Sequence, residues 1–436
     1  MATETRHKMR LTSPGLVFPF IAITMLYFAF GFVTNVTSQG LVPELKKVFE
    51  IQQLSTGQAM LASSAFFLAY LIFAAPTAWL IEKIGYKRTM IVSLFVQVVG
   101  ALVFLPAASM VSFPLFLTAI FIVGAGVTAL QTAANPYAAS LGPEETAPAR
   151  LTLAQALNSV GTTIAPPFVA HFILTSSFLD PAVVAQQSLQ QQHEYQVAIA
   201  NTVRTPYIGL GIALAVLGIA VAFAHLPQIK AEQKKEAGGS TAQRSIWTVR
   251  HTVLAALGIF FYVGVEVGLA NTMVLYFSDS KQGGLHLLPL QLAQGIVFFY
   301  WGGALVGRLL GPWMMNRMKP GNLLGLFGGC AAALVVLSMF LPGYAAIAAL
   351  LLAGFFNSVM FPIVFALGIA DLGPLTSRGS GIMTTAIVGG AVIPVFIGWM
   401  VDHSSYQMAL LIPVFCYLFI AWYGRWGSKP MRTVTA

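Results

Sequence analysis

Charged residues are scarce in this chain: they make up 8% of its 436 residues, against about 25% in soluble domains. Hydrophobic residues account for 57%, which excludes an ordinary soluble globule. Cysteine is almost absent, and the two present, Cys330 and Cys416, lie in apolar runs where a free thiol packs like a small hydrophobe. The sequence therefore indicates neither a disulfide framework nor a cysteine-bound metal.

Acidic residues are fewer than basic ones, 14 against 23, and the net charge is +9. Such an excess of positive charge can indicate nucleic-acid binding, but here most Lys and Arg residues fall on one side of the predicted membrane spans. This distribution follows the positive-inside rule. We therefore expect an integral protein of the plasma (inner) membrane, surrounded by the lipid bilayer, with both termini in the cytoplasm and no nucleic-acid partner.

Long apolar runs are what the sequence has in abundance. A helix needs about 20 mostly apolar residues to cross the hydrocarbon layer, because every backbone N–H and C=O there must be paired within the protein. The sequence predicts an all-α membrane protein with twelve such spans. We place them at 15–38, 58–81, 88–107, 113–138, 151–174, 204–226, 252–277, 290–311, 321–341, 344–367, 380–401 and 406–424.

The longest polar cytoplasmic stretch divides the chain into two parts with six spans each. We predict an N-terminal six-helix bundle at 1–226, a cytoplasmic linker at 227–251 and a C-terminal six-helix bundle at 252–436. On the outer side, 176–203 is rich in glutamine and is expected to form a partly helical surface loop. A role for that loop as a lid is one hypothesis.

A short pattern recurs at corresponding places in the two parts. Gln131 to Pro136 reads QTAANP, and Asn357 to Pro362 reads NSVMFP. Repeats of this kind are typical of a transporter whose site lies between two like halves. The copies also differ, since the first is rich in amides and the second is mostly apolar.

The loops after the second and eighth spans also match each other. Each is a tight turn with glycine and clustered cations at a helix end, where backbone carbonyls favour positive charge. One interpretation is membrane topology alone. The other is a conformational latch that holds neighbouring helix ends together in one state. The candidate latch residues are Glu82, Lys83, Arg88, Arg308 and Arg317.

This plan of six plus six spans resembles the major facilitator superfamily. Within it, QTAANPY at 131–137, LGPE at 141–144 and RLTLAQALN at 150–158 resemble the fucose/glucose/galactose permease family, and the similarity covers nearly the whole chain. The resemblance implies two pseudo-symmetric six-helix halves and a secondary transporter, not an enzyme, that imports a hexose of the glucose, galactose or mannose type by alternating access. We expect it to act as a monomer.

Four amides in the first half are spaced to share helix faces. Gln131 and Asn135 lie one turn apart, as do Gln155 and Asn158. An amide donates and accepts hydrogen bonds at once, which suits the hydroxyls of a sugar. The alternative is that such amides join helices, and that Asn135 bonds the carbonyl freed by Pro136. The resemblance places the residues at Gln131, Gln155 and Asn158 in the family's sugar site.

The second half offers two further candidates for substrate binding, Asn271 and Asn357. Proton-coupled members of the family have carboxylates in spans 1 and 4, and the matching positions here are Gln39 and Gln131. Neither amide can bind or release a proton at biological pH. The family's usual proton carriers are therefore missing, and Gln39 is counted instead among the residues that could contact the sugar.

One acidic residue, Glu266, lies in the middle of a span, where a carboxylate is costly and indicates a function. Three interpretations stay open: a ligand for a coupled sodium ion, a relocated proton carrier, or a paired structural group. Glu266 is also counted among the residues that could contact the sugar. Sodium is the favoured interpretation, because the resemblance includes relatives that use it, and no other cofactor is expected. Uniport is an alternative, since passive carriers would also lack the two carboxylates.

Two other functions fit the sequence less well. A drug exporter would have a more apolar cavity than this group of amides implies. An organic-anion exporter would need a cation within the membrane, and Arg308, near the end of its span, is the candidate. A membrane enzyme would need a nucleophile, a metal cluster or an acid–base pair at membrane depth, and the histidines are scattered near span ends.

Overall fold

The computed structural model describes residues 12, 15–40, 56–172, 186–227, 245–278, 283–288, 292 and 296–429. Across these ranges the regular structure is helical and contains no strand. The N-terminal half consists of α1 (Val17–Asn35, extended by the π-helical residues Val36–Gly40), the stretch Thr56–Ser109, α4 (Phe113–Ala139), α5 (Ala147–Phe172), α6 (Leu189–Asn201) and α7 (Arg204–Phe223).

The stretch Thr56–Ser109 is two helices, α2 (56–84) and α3 (86–109), that meet at Gly85. This glycine has φ +81° and ψ 167°, a backbone conformation that a β-carbon would disfavour. The chain therefore turns from α2 into α3 at this glycine, in the tight loop after the second predicted span.

The C-terminal half begins after the linker. It consists of α8 (Arg250–Ser278), α9 (Phe298–Met315), α10 (Pro320–Phe340), α11 (Gly343–Asn357), α12 (Met360–Ile369), α13 (Thr376–Thr385), α14 (Gly389–His403), α15 (Tyr406–Ala409) and α16 (Leu411–Trp422). The last three predicted spans are thus each built from two shorter helices, since the breaks between α11 and α12, α13 and α14, and α15 and α16 lie inside them.

Helix packing follows the same plan in both halves. In the first, α1 packs on α5, α2 on α4 and α3 on α7; in the second, α8 packs on α14, α9 on α11 and α10 on α16. Each pair joins equivalent spans, so the predicted pseudo-symmetry is confirmed. The halves meet where α5 packs on α9 and α12, and where α13 packs on α2 and α4.

Within the described ranges, nine stretches are long and apolar enough to cross a membrane by length and composition. One of them, Ser64–Ser109, holds α2 and α3 and therefore spans twice, and α5 and α9 complete the predicted set of twelve. The outer loop is partly helical, as expected: Ser188 and Gln191 form a capping box at the start of α6. The predicted lid role of this loop stays a prediction.

The ends of several helices meet on one side of the bundle, which we call the linker face. There Lys87 Nζ donates to the carbonyls of Ala222 and Ala224, at 2.8 and 2.9 Å, and the Tyr137 hydroxyl donates to the Pro227 carbonyl at 3.0 Å. The linker 228–244, the central part of the predicted 227–251 segment, lies outside the described residues. The side of the bundle away from it is called the opposite face.

Candidate functional site

Tyr27 of α1 connects two of the predicted amides. Its hydroxyl donates to Asn135 Oδ1 of α4 at 2.7 Å, and its backbone carbonyl accepts from Asn158 Nδ2 of α5 at 3.4 Å. Both Tyr27 and Asn135 are fully buried, while Asn158 is half-buried. The structure therefore brings Asn135 and Asn158 together across three helices, with an aromatic ring between them.

Close packing of α1 on α5 makes this contact possible. A β-carbon at Gly31 would overlap with the side chain and carbonyl of Asn158, and one at Gly161 would overlap with the backbone of Phe28 and Phe32. Glycine at these two positions lets the helix backbones approach closely. Asn158 can therefore reach the α1 backbone.

Gln131 lies one turn before Asn135 and donates from Nε2 to the Tyr70 hydroxyl of α2 at 2.9 Å. The second copy of the repeat forms the corresponding contact, since Asn357 Nδ2 donates to the Tyr300 hydroxyl of α9. The two contacts join equivalent helix pairs, α4 with α2 and α11 with α9. The repeated amide thus holds a tyrosine in each half, although Asn357 is completely buried within its own half.

The remaining amide candidates take different positions. Gln155 is buried one turn from Asn158 on α5. Asn271 is exposed near the far end of α8 and is not brought to the other amides. The side chain of Gln39 lies outside the described residues.

Glu266 lies in the middle of α8 and has protein partners on three sides. Tyr262 donates to Glu266 Oε1 at 2.6 Å, Arg308 Nη2 contacts the same oxygen at 3.4 Å, and Tyr300 donates to the Glu266 carbonyl at 3.4 Å. The Arg308 and Glu266 side chains are 8% and 13% exposed. This is the geometry of the third interpretation, a paired carboxylate. Among the described residues, no group of three His, Cys, Asp or Glu side chains could hold a metal ion.

Arg308 does not contact the loop residues with which it was grouped as a latch. It contacts Glu266 in the middle of α8, and it lies two turns before the end of α9 at Met315. Its Nη1 donates to the Gln155 carbonyl at 3.4 Å and to Ser159 Oγ, so that it does join the two halves. Its Nε donates to the Ser358 carbonyl at 3.1 Å.

The prolines of the repeat explain two of the contacts at the interface. Proline has no N–H, so Pro362 leaves the Ser358 carbonyl free and Pro136 leaves the Thr132 carbonyl free. Arg308 takes the first, and the Ser380 hydroxyl of α13 takes the second at 2.8 Å across the interface between the halves. The Thr132 carbonyl thus accepts from Ser380 and not from Asn135, whose Nδ2 donor has no hydrogen-bond partner among the described residues.

At the linker face the halves are joined by a salt bridge. Arg378 Nε donates to Glu82 Oε1 at 2.9 Å and its Nη2 to Oε2 at 3.5 Å, while the Ser377 hydroxyl adds a bond at 3.2 Å. The other latch candidates lie elsewhere. Lys83 lies over the ring of Trp79 on α2, at 3.7 Å from the ring centroid, and Arg317, just after α9, lies over Trp313 at 4.3 Å. Arg88 is exposed.

A helical bundle with this internal repeat, closed on one face, has known counterparts. The model of the Major Facilitator Superfamily matches residues 16–393. The chain belongs to this superfamily. It is a membrane transporter and not an enzyme.

Within the superfamily the transporter belongs to the fucose, glucose and galactose branch. It is 40% identical over 412 residues to the glucose/galactose transporter of Brucella abortus biovar 1 (strain 9-941), covering 94% of each chain. It is 31% identical over 426 residues to the L-fucose-proton symporter of Escherichia coli (strain K12), covering 96% of this chain and 94% of that protein.

The fold comparison agrees with the sequence comparison. The crystal structure of FucP, a Major Facilitator Superfamily transporter in the outward conformation, matches this transporter with a TM-score of 0.84 and 30% identity, covering 95% of this chain and 99% of that one. The match confirms the predicted fold class: twelve membrane helices in two six-helix halves.

Sequence reasoning missed Arg378, the basic partner in the linker-face salt bridge. Its position in the second half corresponds to that of Arg150 in the first. Arg150, however, is buried and donates to the Ala138 carbonyl in the last turn of α4 and to the Gly142 and Pro143 carbonyls in the loop that follows. The residue that corresponds to Glu82 is Asn316, which has no charge. The bridge therefore forms once and not twice, and comparison of the repeats could have identified it.

Proposed function

We propose that this transporter carries a monosaccharide of the glucose or galactose type across the plasma membrane by alternating access. The observation that carries the proposal is the set of amides around Tyr27 at the junction of α1, α4 and α5. Amides suit neutral, hydroxyl-rich substrates, and Arg308, the intramembrane cation that an organic anion would need, is already paired with Glu266. The names of the relatives support the same substrate class.

The proposal includes an orientation. The positive-inside distribution places the linker face and both termini in the cytoplasm. Because the halves are joined at that face through Glu82 and Arg378, we infer a state that is closed to the cytoplasm and that sugar enters from outside. Rocking of the halves then opens the linker face, and sugar shifts this equilibrium by its different affinity for the two states.

Binding of radiolabelled monosaccharides to purified protein tests the substrate class. Glucose, galactose, mannose and fucose are compared in wild type, Gln155→Ala, Asn158→Ala and, as a matched control, Gln190→Ala on the exposed surface of α6. Loss of a hydrogen-bonding amide from the site should weaken binding about tenfold, which corresponds to about 1.4 kcal/mol. If no sugar binds wild type, or if Gln155→Ala and Asn158→Ala bind as the control does, the proposal is wrong.

For energy coupling we propose sodium, because Gln39 and Gln131 cannot carry protons. Uniport is the second candidate, and one observation favours it. Glu266, the carboxylate that would attract a cation, is already paired with Arg308. Proton symport through Glu266 is the third.

Uptake into proteoliposomes at fixed pH distinguishes the three modes. Sodium symport requires concentrative uptake that follows an inward sodium gradient. Uniport gives uptake that stops at equal concentrations under every gradient. Uptake that is independent of sodium and abolished by an uncoupler would indicate proton symport instead.

A further inference from the structure

Arg308 is bound by both halves of the transporter. It is 7% exposed, and its guanidinium contacts four acceptors. Two belong to its own half, Glu266 Oε1 and the Ser358 carbonyl; two belong to α5 in the other half, the Gln155 carbonyl and Ser159 Oγ. The two sets differ in charge, because the partner within its own half is a carboxylate and the partners on α5 are neutral.

This division matters when the halves move apart. A guanidinium stays charged in proteins, so Arg308 needs a counter-charge in every state of the cycle. Separating an ion pair inside the membrane is costly, whereas a bond to a neutral hydroxyl or carbonyl can be exchanged for one to water. Since Glu266 lies on the same half as Arg308, the pair can move as one body while only the neutral bonds break.

The neutral bonds are made to the helix that carries the amides. Gln155 and Asn158 lie on α5 beside the two atoms that Arg308 contacts. Tight packing surrounds this contact: a β-carbon at Gly311 of α9 would overlap with Thr152 of α5, one turn closer to the linker face. Arg308 therefore fixes the part of α5 that faces the C-terminal half.

We propose that Arg308 is a positioning residue that holds the amide-bearing part of α5 from the opposite half, and that Glu266 is its fixed counter-charge, not the carrier of a coupled cation. If sodium is coupled, as proposed above, its ligands are then other groups than the Glu266 carboxylate. This assignment of roles rests on the proposed function in that the halves must separate for transport. The two residues act as one neutral unit, and the contacts with Ser159 and Gln155 form and break in each cycle.

The first experiment is a double-mutant cycle at this pair. Glu266→Gln and Arg308→Gln each leave one buried charge alone, whereas the double variant leaves none. We expect each single variant to lower sugar exchange at least about tenfold and to lower the melting temperature, and the double variant to regain much of both. Arg204→Gln, at the exposed start of α7, is the matched control.

Exchange of labelled for unlabelled sugar needs no ion gradient, so it separates this proposal from a cation-carrier role. If Glu266 carried the cation, Glu266→Gln alone would keep exchange while losing gradient-driven accumulation, and the added Arg308→Gln would rescue nothing. The proposal is overturned if Glu266→Gln keeps sugar exchange, or if the double variant exchanges sugar no faster than the less active of the two single variants.

Ser159→Ala tests the contact with α5 while keeping the ion pair. Thr152, buried between α5 and α9, is changed to cysteine in a background with Cys330→Ala and Cys416→Ala, and its labelling by a soluble maleimide reports separation of the halves. We expect Ser159→Ala to increase the labelling rate several-fold and to raise the KM for sugar, and to lower the melting temperature less than either single variant of the ion pair. Unchanged labelling and KM would contradict the positioning role.

The proposal is separable from the sugar assignment. If wild type exchanges none of the monosaccharides, the proposed substrate class fails. The melting temperatures of the double-mutant cycle and the labelling at position 152 are measured without sugar. They therefore still decide whether Arg308 and Glu266 act as a unit and whether Arg308 holds α5.

Discussion

Tyr27 is the single residue on which the arrangement of the amides depends most. Asn135 is fully buried, and its Nδ2 has no hydrogen-bond partner among the described residues, so the bond from Tyr27 to its Oδ1 is the one that offsets its burial. Tyr27→Phe removes that donor and leaves a buried carbonyl unsatisfied, at a cost of about 1–3 kcal/mol. We expect a lower melting temperature and weaker sugar binding, measured on purified protein.

Tyr344→Phe serves as the control for this change, because Tyr344 is 65% exposed at the start of α11 and its hydroxyl can bond to water. A Tyr27→Phe variant with the melting temperature and sugar affinity of wild type would show that Asn135 does not need this donor.

The amides were predictable from sequence, but their partners were not. Spacing along one helix shows that Gln131 and Asn135 share a face, because the helical period is fixed. It does not show which helix faces them. Tyr27 and Tyr70 are separated from the amides by many residues in sequence, and an aromatic residue in an apolar run is most often a packing residue. The need of a buried tyrosine hydroxyl for a partner was the available signal.

Among the helices, the pair α1 and α5 shows how small residues position a site. At Gly31 a β-carbon would overlap with Asn158, whereas at Gly329 of α10 nothing lies within 4 Å of the same added atom. We predict that Gly31→Ala pushes α1 from α5, breaks the contact of Asn158 with Tyr27, and lowers both thermal stability and sugar affinity. Gly329→Ala should be neutral or slightly stabilising, by up to about 1 kcal/mol of helix propensity.

Measurement of both glycine variants by thermal unfolding and sugar binding gives a direct comparison of the same chemical change at two positions. Equal behaviour of Gly31→Ala and Gly329→Ala would contradict the close approach of α1 and α5.

The repeated prolines show a second limit of prediction at the level of helices. Sequence identifies Pro136 and Pro362 and implies a free carbonyl four residues before each. The partner is decided by tertiary packing: Ser380 reaches one carbonyl from the other half, and Arg308 reaches the other from its own. The freed carbonyl of the first copy, that of Thr132, therefore joins the two halves, whereas the freed carbonyl of the second copy, that of Ser358, anchors the Arg308 side chain.

For the molecule as a whole, hydropathy was sufficient to predict twelve spans and their division into halves, because the bilayer imposes the length of each helix. Hydropathy cannot predict which face is closed, since one sequence must form every state of the cycle. The contacts at the linker face supply that information. They also show that the halves differ there. A second bridge would need an arginine at position 150 that is free to reach a carboxylate at position 316, but Arg150 bonds to a backbone carbonyl and residue 316 is asparagine.

The Glu82–Arg378 bridge should therefore set how often the linker face opens. Its side chains are 28% and 46% exposed, and an exposed pair contributes up to about 1 kcal/mol, so Glu82→Gln should increase the open population up to about fivefold. Labelling of Thr152→Cys in the cysteine-free background measures this change. Because salt screens exposed charges, high salt should increase labelling in wild type but hardly in Glu82→Gln. Glu194→Gln on α6, at the opposite face, should behave as wild type; an equal effect there would show that net charge, not the bridge, controls opening.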